Sequence, residues 1–291
     1  MQRINRYIGG PGRSNTTILG EIAGKSRNAA ILNEINIVRR LFEIKARIAW
    51  ENLIYEPQVA NQWCAGMFKE NAWWEVNNYR RLVYRDIRID LDPYDLRQQV
   101  TLLEDSLNKR ISEYNHTAHK IVDEYIDLLL SYLAQDKHPV FKQPGIEINL
   151  SKISNLNDEE TSSWKVIFTV KDILDVATSW FRDQMLPGKD FDDCLDFLEQ
   201  RIIDGCASIK HLPPNSVLLI HDKDLYENTE NTIKKMFAFL QLEYDPSTIS
   251  LYNPNLRNMN EGLQDPVVNR YRKRLESIRE SANAILGHDV W

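Results

Sequence analysis

The stretch Arg6-Tyr7-Ile8-Gly9-Gly10-Pro11-Gly12-Arg13-Ser14-Asn15-Thr16-Thr17-Ile18-Leu19 sets glycines, a proline, an arginine and three hydroxyl side chains between two apolar segments. Before it, Ile4 to Ile8 reads as a short strand. After it, Ile18, Leu19, Ile22 and Ala23 recur at helical spacing, so the unit is strand, loop, helix. Glycines free such a loop to turn sharply and aim its N–H groups at one point. The helix N-terminus adds donors and a positive dipole end, and together they suit a small anion. The plainer alternative is a surface connection with ordinary caps.

Working outward, three more short runs have strand character: Pro139 to Lys142, Lys165 to Val170 and Ser216 to Ile220. A further strand ends near Glu34, in Ile31-Leu32-Asn33-Glu34-Ile35. Continuous apolar runs separated by helical patterns predict buried parallel strands in a layered α/β domain. Residues from about 37 to 137 read instead as helices, with breaks near Pro57, Asn71 and Asp92-Pro93. Trp50, Trp63, Trp73 and Trp74 fall there, four of the chain's seven tryptophans, an excess that marks either a binding surface or the insert's own core. Because strand patterns resume after it, the insert is expected to cap one end of the sheet within a single domain spanning 1–291. Near the C-terminus, Thr232, Ile233, Met236, Phe237, Phe239 and Leu240 form an apolar stripe. A last helix is predicted over Pro266 to Leu286, opened by proline and closed at Gly287.

Composition narrows the function. A net charge of −6 with 27% charged residues argues against a nucleic-acid partner or a general affinity for anionic membranes. Cys64, Cys194 and Cys206 have no metal-ligand or redox spacing, so a reduced, cytoplasmic protein is expected. There is no apolar leader pattern at the first strand and no run of transmembrane length. No metal-ligand cluster stands out. The six histidines are scattered. His138 and His221 flank strands, and the basic run Arg270, Arg272, Lys273, Arg274 reads as a solvated helix face.

Two phosphate-binding readings compete. A nucleotide-dependent kinase loop needs G-x-x-x-x-G-K-[ST], and Gly20 to Ser26 is one residue short and two helical turns past the strand. Val217 to Asp222 could serve that reading as a strand ending in a magnesium-site aspartate. The second reading turns on Gly12-Arg13-Ser14-Asn15-Thr16-Thr17. This segment resembles the 5′-phosphosulfate loop of sulfotransferases that use 3′-phosphoadenosine 5′-phosphosulfate (PAPS), commonly G-x-x-R-S-G-T-T. Arg13 supplies a cation, Ser14, Thr16 and Thr17 offer hydroxyls, and Asn15 replaces a glycine at a position where asparagine tolerates left-handed backbone. Lys171-Asp172-Ile173-Leu174-Asp175-Val176-Ala177-Thr178-Ser179 resembles the same family's 3′-phosphate segment, R-D-P-x-D-x-x-x-S, with lysine for arginine. In order along the chain, Val140 to Pro144 resembles the strand ending in the family's catalytic lysine, here Lys142. Val217 to Leu225 with Thr232 to Leu242 resembles a later motif, with Lys223 and Gln241 departing from it. The resemblance covers about 1–35 and 138–250. It implies a three-layer α/β fold with a mostly parallel central sheet of the P-loop/sulfotransferase type and a large helical cap inserted. It implies a transfer that needs PAPS and no metal, with a non-catalytic binding module as the alternative.

Sulfuryl transfer needs a base for the acceptor proton and cations for charge at the bridging oxygen. Small-molecule sulfotransferases place a histidine just after the lysine strand, where this chain has Gln143 and Pro144. Tyrosyl-protein and some bacterial members use instead a glutamate about twenty residues past the loop arginine. Glu34, twenty-one residues after Arg13, matches that place, the plainer alternative being a carboxylate that caps the next helix. Glu147 is the second candidate base. The resemblance thus implies Glu34, Lys142 and Arg13 as catalytic residues. Gly12 to Thr17, Lys171, Ser179 and Arg257, the last in a late loop over the 3′-phosphate, would bind the nucleotide. The insert, with its aromatics and Glu51, Glu56, Glu70 and Glu75, would suit a cationic or amphipathic small molecule. The expected acceptor is a specialised metabolite, sulfated on oxygen or nitrogen.

Overall fold

In a computed structural model, residues 3–12, 14–50, 57–68, 93–113, 116–151, 162–186, 188–253, 261–287 and 290–291 are described. Five strands form one sheet: β1 (Arg3–Gly9), β2 (Ala29–Asn33), β3 (His138–Lys142), β4 (Ser162–Val170) and β5 (Val217–His221). All neighbouring pairs are parallel and the spatial order is β2-β3-β1-β4-β5. The expected α/β fold with a parallel central sheet is therefore the one found.

The apolar runs have no polar face because both faces are covered. Tyr7, Leu32, Phe141, Val166 and Phe168 point to one face, and Ile8, Ile31, Val140, Ile167 and Ile220 to the other. On the second face lie α1 (Thr16–Gly24), through Leu19, Ile22 and Ala23, and a helix at Thr229–Leu240, through Ile233, Met236, Phe237 and Leu240.

The first face receives the insert. Between β2 and β3 run α2 (Asn36–Trp50), α3 (Pro57–Met67), α4 (Pro93–Ser112) and α5 (Ala118–Ala134). Two expected breaks fall where α3 and α4 open on proline; Asn71 lies outside the described residues. Polar ties fix the helices to one another. The Tyr125 hydroxyl donates to Asn61 Oδ1 (2.7 Å), whose amide donates to Asn108 (2.9 Å). Buried Lys45 meets Asp123 at 2.6 Å. Phe42 of α2 packs edge-on against Phe141 and Trp164 of the sheet, with centroids 5.4 and 5.7 Å apart.

The same face continues through α6 (Ile173–Arg182) and α7 (Phe191–Lys210). After β5 come α8 (Asp222–Glu227) and α9, the Thr229–Leu240 helix already described. The chain ends in α10 (Glu261–Gln264), α11 (Pro266–Arg270) and α12 (Arg272–Leu286). The helix expected over Pro266 to Leu286 is thus interrupted at Tyr271. That side chain is tethered to the start of α7, its hydroxyl to Asp192 (3.0 Å) and its ring over Phe191 (4.6 Å between centroids), which draws the backbone out of helical register.

Candidate active site

Register decides which side chains meet. Asn33 pairs with Lys142, Lys142 with Ile8, and Ile8 with Ile167. The strands therefore end nearly level, and the segments leaving them emerge on one edge: the loop after β1, Glu34, Gln143, Lys171 and Asp222. Ligands of parallel α/β sheets bind at this carboxyl edge.

The loop after β1 folds onto β4. Gly10 and Gly12 adopt φ 150° and 79°. A Cβ on Gly10 would lie 2.8 Å from both Ser14 Oγ and the Thr169 carbonyl oxygen, so no other residue fits that turn. Thr169 Oγ1 donates to the Gly9 carbonyl (3.0 Å), which leaves Ser14 to donate to Thr169 (2.6 Å). Ser14, expected to offer its hydroxyl hydrogen to a ligand, thus directs it into the loop's own scaffold. Trp180 of α6 donates to the Gly12 carbonyl at 3.4 Å. Asn15 is left-handed at φ 69°, as its place in the motif predicts, and its side chain donates to Asp222. Thr16 is buried, and Thr17 is exposed on the first turn of α1. Arg13 lies outside the described residues.

Lys142 and Glu34 come together. The Glu34 N–H donates to the Lys142 carbonyl (2.8 Å), and Lys142 Nζ pairs with Glu34 Oε1. The lysine side chain is 4% exposed and the glutamate 52%, so the pair joins a buried cation to an open carboxylate. The lysine stem reaches its partner across α1 at Gly20, where a Cβ would stand 3.1 Å from Lys142 Cγ. Glu34 itself has φ 51°, strained for a glutamate.

Glu147 behaves differently. It is 1% exposed and takes bonds from the Tyr7 hydroxyl and the Gly145 N–H, each 2.6 Å, with Arg201 at 3.6 Å. Burial raises its pKa despite Arg201 and the Tyr7 bond, which lower it. The Tyr7 hydroxyl also reaches the Gln143 carbonyl at 2.5 Å. Glu147 is thus a buried brace behind the end of β3.

Lys171 is partly exposed just past β4, and Asp172 caps α6 through Leu174 N–H (2.9 Å). Ser179, two turns along, donates to Asp183 at 3.3 Å. Asp175 accepts from the Gly262 N–H (2.7 Å), which fastens α10 to α6. Arg257 lies outside the described residues.

The kinase reading loses its footing. Gly20 to Gly24 is helical, so those N–H groups sit inside α1 and cannot cradle a phosphate. Ser26 is buried and donates to Glu243 and Asn28 at the far end of the helix. Among the described residues no His, Cys, Asp and Glu cluster could hold a metal, and no helix is long and apolar enough to cross a membrane.

Reasoning from sequence missed the scaffold behind these residues: Thr169, Arg201, the Gly20 passage, and Asp222 as a partner of Asn15. None of these had a signal in its own segment, because each joins residues far apart in the chain.

No protein-family model and no curated protein matches the chain. Among solved structures, the chain is similar to the sulfotransferase domain of an olefin synthase from Synechococcus PCC 7002. The TM-score is 0.51 and the identity 14%, over 98% of this chain and 94% of that one. It is similar as well to the sulfotransferase domain from the curacin biosynthetic pathway, with TM-score 0.51 and 16% identity, over 100% and 99% of the two chains. At such identities the likeness establishes the fold, that of sulfotransferase domains.

Proposed function

We propose that the protein is a PAPS-dependent sulfotransferase acting on a small-molecule acceptor. The observation that carries this reading is the meeting, on one sheet edge, of the anion loop, the Lys142–Glu34 pair and the Lys171–Ser179 segment. The fold shared with sulfotransferase domains supports it. In this reading the backbone N–H groups of the loop hold the 5′-phosphosulfate, while Lys171 and Ser179 receive the 3′-phosphate. Arg13 and Arg257 would add cations at the two ends of the nucleotide.

Glu34 takes the proton from the acceptor hydroxyl or amine. The freed lone pair attacks sulfur, and the bond from sulfur to the bridging oxygen breaks. The electron pair left on that oxygen meets the Lys142 ammonium, which is released from Glu34 when the donor occupies the site. The products are a sulfated acceptor and adenosine 3′,5′-bisphosphate. The open face of Glu34 supports its role as base over Glu147, which no acceptor proton reaches without displacing the brace around it. Both structural neighbours belong to biosynthetic systems, which supports a specialised metabolite as acceptor. The three buried, free thiols accord with a reducing, cytoplasmic setting.

A thermal-shift comparison tests the nucleotide. Adenosine 3′,5′-bisphosphate should stabilise the protein more than 5′-AMP does, because only the former carries the 3′-phosphate. Lys171→Ala should erase most of that difference, about 1.5–3 kcal/mol for a charge-assisted contact. Equal shifts for the two ligands, or a preference for Mg-ATP, would defeat the reading. Binding without transfer to any alcohol or amine would leave a non-catalytic module.

A further inference from the structure

Asn15 begins α1 but does not cap it. A capping asparagine sits in extended backbone and gives its side-chain oxygen to N–H groups of the first turn. Asn15 has φ 69° and ψ 9°, and its side chain makes no capping bond. Its Nδ2 donates instead to Oδ1 of Asp222, the first residue of α8, where the chain leaves β5. Both residues are buried. A side chain in left-handed backbone is strained and persists where its surroundings hold it. A buried carboxylate beside an anion site repels the ligand, and here that carboxylate is engaged by the Asn15 amide.

We propose that Asp222 is a positioning residue that draws the Asn15 side chain away from α1, so that Asn15 stays left-handed and the first-turn N–H groups remain turned to the nucleotide's anion. The inference rests on the reading of this loop as the 5′-phosphosulfate site. In sequence terms, two mutually dependent residues do here what a single glycine does by having no side chain. Without Asp222, Asn15 is free to relax to the extended backbone of an ordinary cap and close its own amide over the N–H groups that the anion needs.

The dependence is testable as a cycle in the full chain, with adenosine 3′,5′-bisphosphate affinity measured by calorimetry beside the melting temperature. Asp222→Ala should weaken binding about tenfold, the loss of one charge-assisted hydrogen bond. The melting temperature should change little, because Asn15 then caps α1. Asp222→Asn, whose amide oxygen still accepts from Asn15, should stay within about threefold of wild type. In an Asn15→Gly background, Asp222→Ala should have no further effect, since glycine needs no hold. An equal loss in both backgrounds, or no loss in either, overturns the proposal. Should Asp222→Ala fail to fold, the double variant decides: folding and binding like Asn15→Gly supports the lock, and failure overturns it. If wild type binds no adenosine 3′,5′-bisphosphate, it is the nucleotide reading that fails. Amide hydrogen exchange over residues 14–18 of the ligand-free protein then judges the lock. A change caused by Asp222→Ala only when residue 15 is asparagine supports it, and unchanged exchange overturns it.

Discussion

At the scale of single residues, Glu34 and Glu147 are two carboxylates with opposite surroundings, and their variants should separate them. Glu34→Gln keeps the shape and removes the proposed base, so kcat should fall about 10²–10⁴-fold while nucleotide affinity barely moves. Lys142→Ala should also act on kcat, as lost transition-state stabilisation does. Turnover of Glu34→Gln near that of wild type, with Glu147→Gln dead, would transfer the base role to Glu147. Glu147 has a different signature. Because burial raises its folded pKa above the 4.5 of a free side chain, the native state binds the proton more tightly than the unfolded state does. The contribution of Glu147 to stability is then full below about pH 4.5 and is lost as pH rises through the folded pKa. Glu147→Gln keeps acceptors for Tyr7 and Gly145 and should flatten that decline, as urea denaturation at a series of pH values would record. Residue types at the strand ends were legible because spacing along one chain carries them: Gly12 to Thr17, Lys171 to Ser179, Glu34 after Arg13. Their partners were not. Asn15 and Asp222 are 207 positions apart, and nothing local in either segment announces the other.

At the scale of elements, α1 does more than follow the loop after β1. Gly20 leaves a bare place on it for the Lys142 stem, and Gly20→Ala separates the helix from that passage. Alanine favours the helix by roughly 0.5–1 kcal/mol, while its Cβ, 3.1 Å from Lys142 Cγ, pushes the stem aside. Stability should therefore stay within about 1 kcal/mol of wild type, while kcat/KM falls by about ten- to a hundredfold, as displaced catalytic groups produce. Loss of both together in denaturation and turnover assays would mean that α1 itself had moved. The elements were the most readable level. Strands announced themselves as β-branched runs, and α3 and α4 open on the prolines that the sequence offers. The last helix was misread at Tyr271 because its own periodicity is unbroken. The interruption comes from α7, through Asp192 and Phe191, and a contact between distant elements has no period.

At the scale of the whole molecule, the two faces of the sheet have different tasks. The face against α1 and α9 closes a conventional core beneath the loop after β1. The other face shares one apolar core with α2 to α5, so the insert is packed into the same body that positions Lys142. Phe42 is the joint: it leaves α2 to wedge between Phe141 of β3, the residue before Lys142, and Trp164 of β4. If that continuity is energetic as well as geometric, insert and sheet unfold together. Fluorescence from a variant that keeps only Trp63, in α3, and from one that keeps only Trp164, in β4, should then give coincident denaturation curves. Phe42→Ala should cost about 3–5 kcal/mol, the usual range for an emptied aromatic core position, and should shift both curves by the same amount. A Trp63 transition that differs from the Trp164 transition would show the insert to be a separately stable unit. Lys142 would then owe its placement to β1, β2 and Gly20 alone.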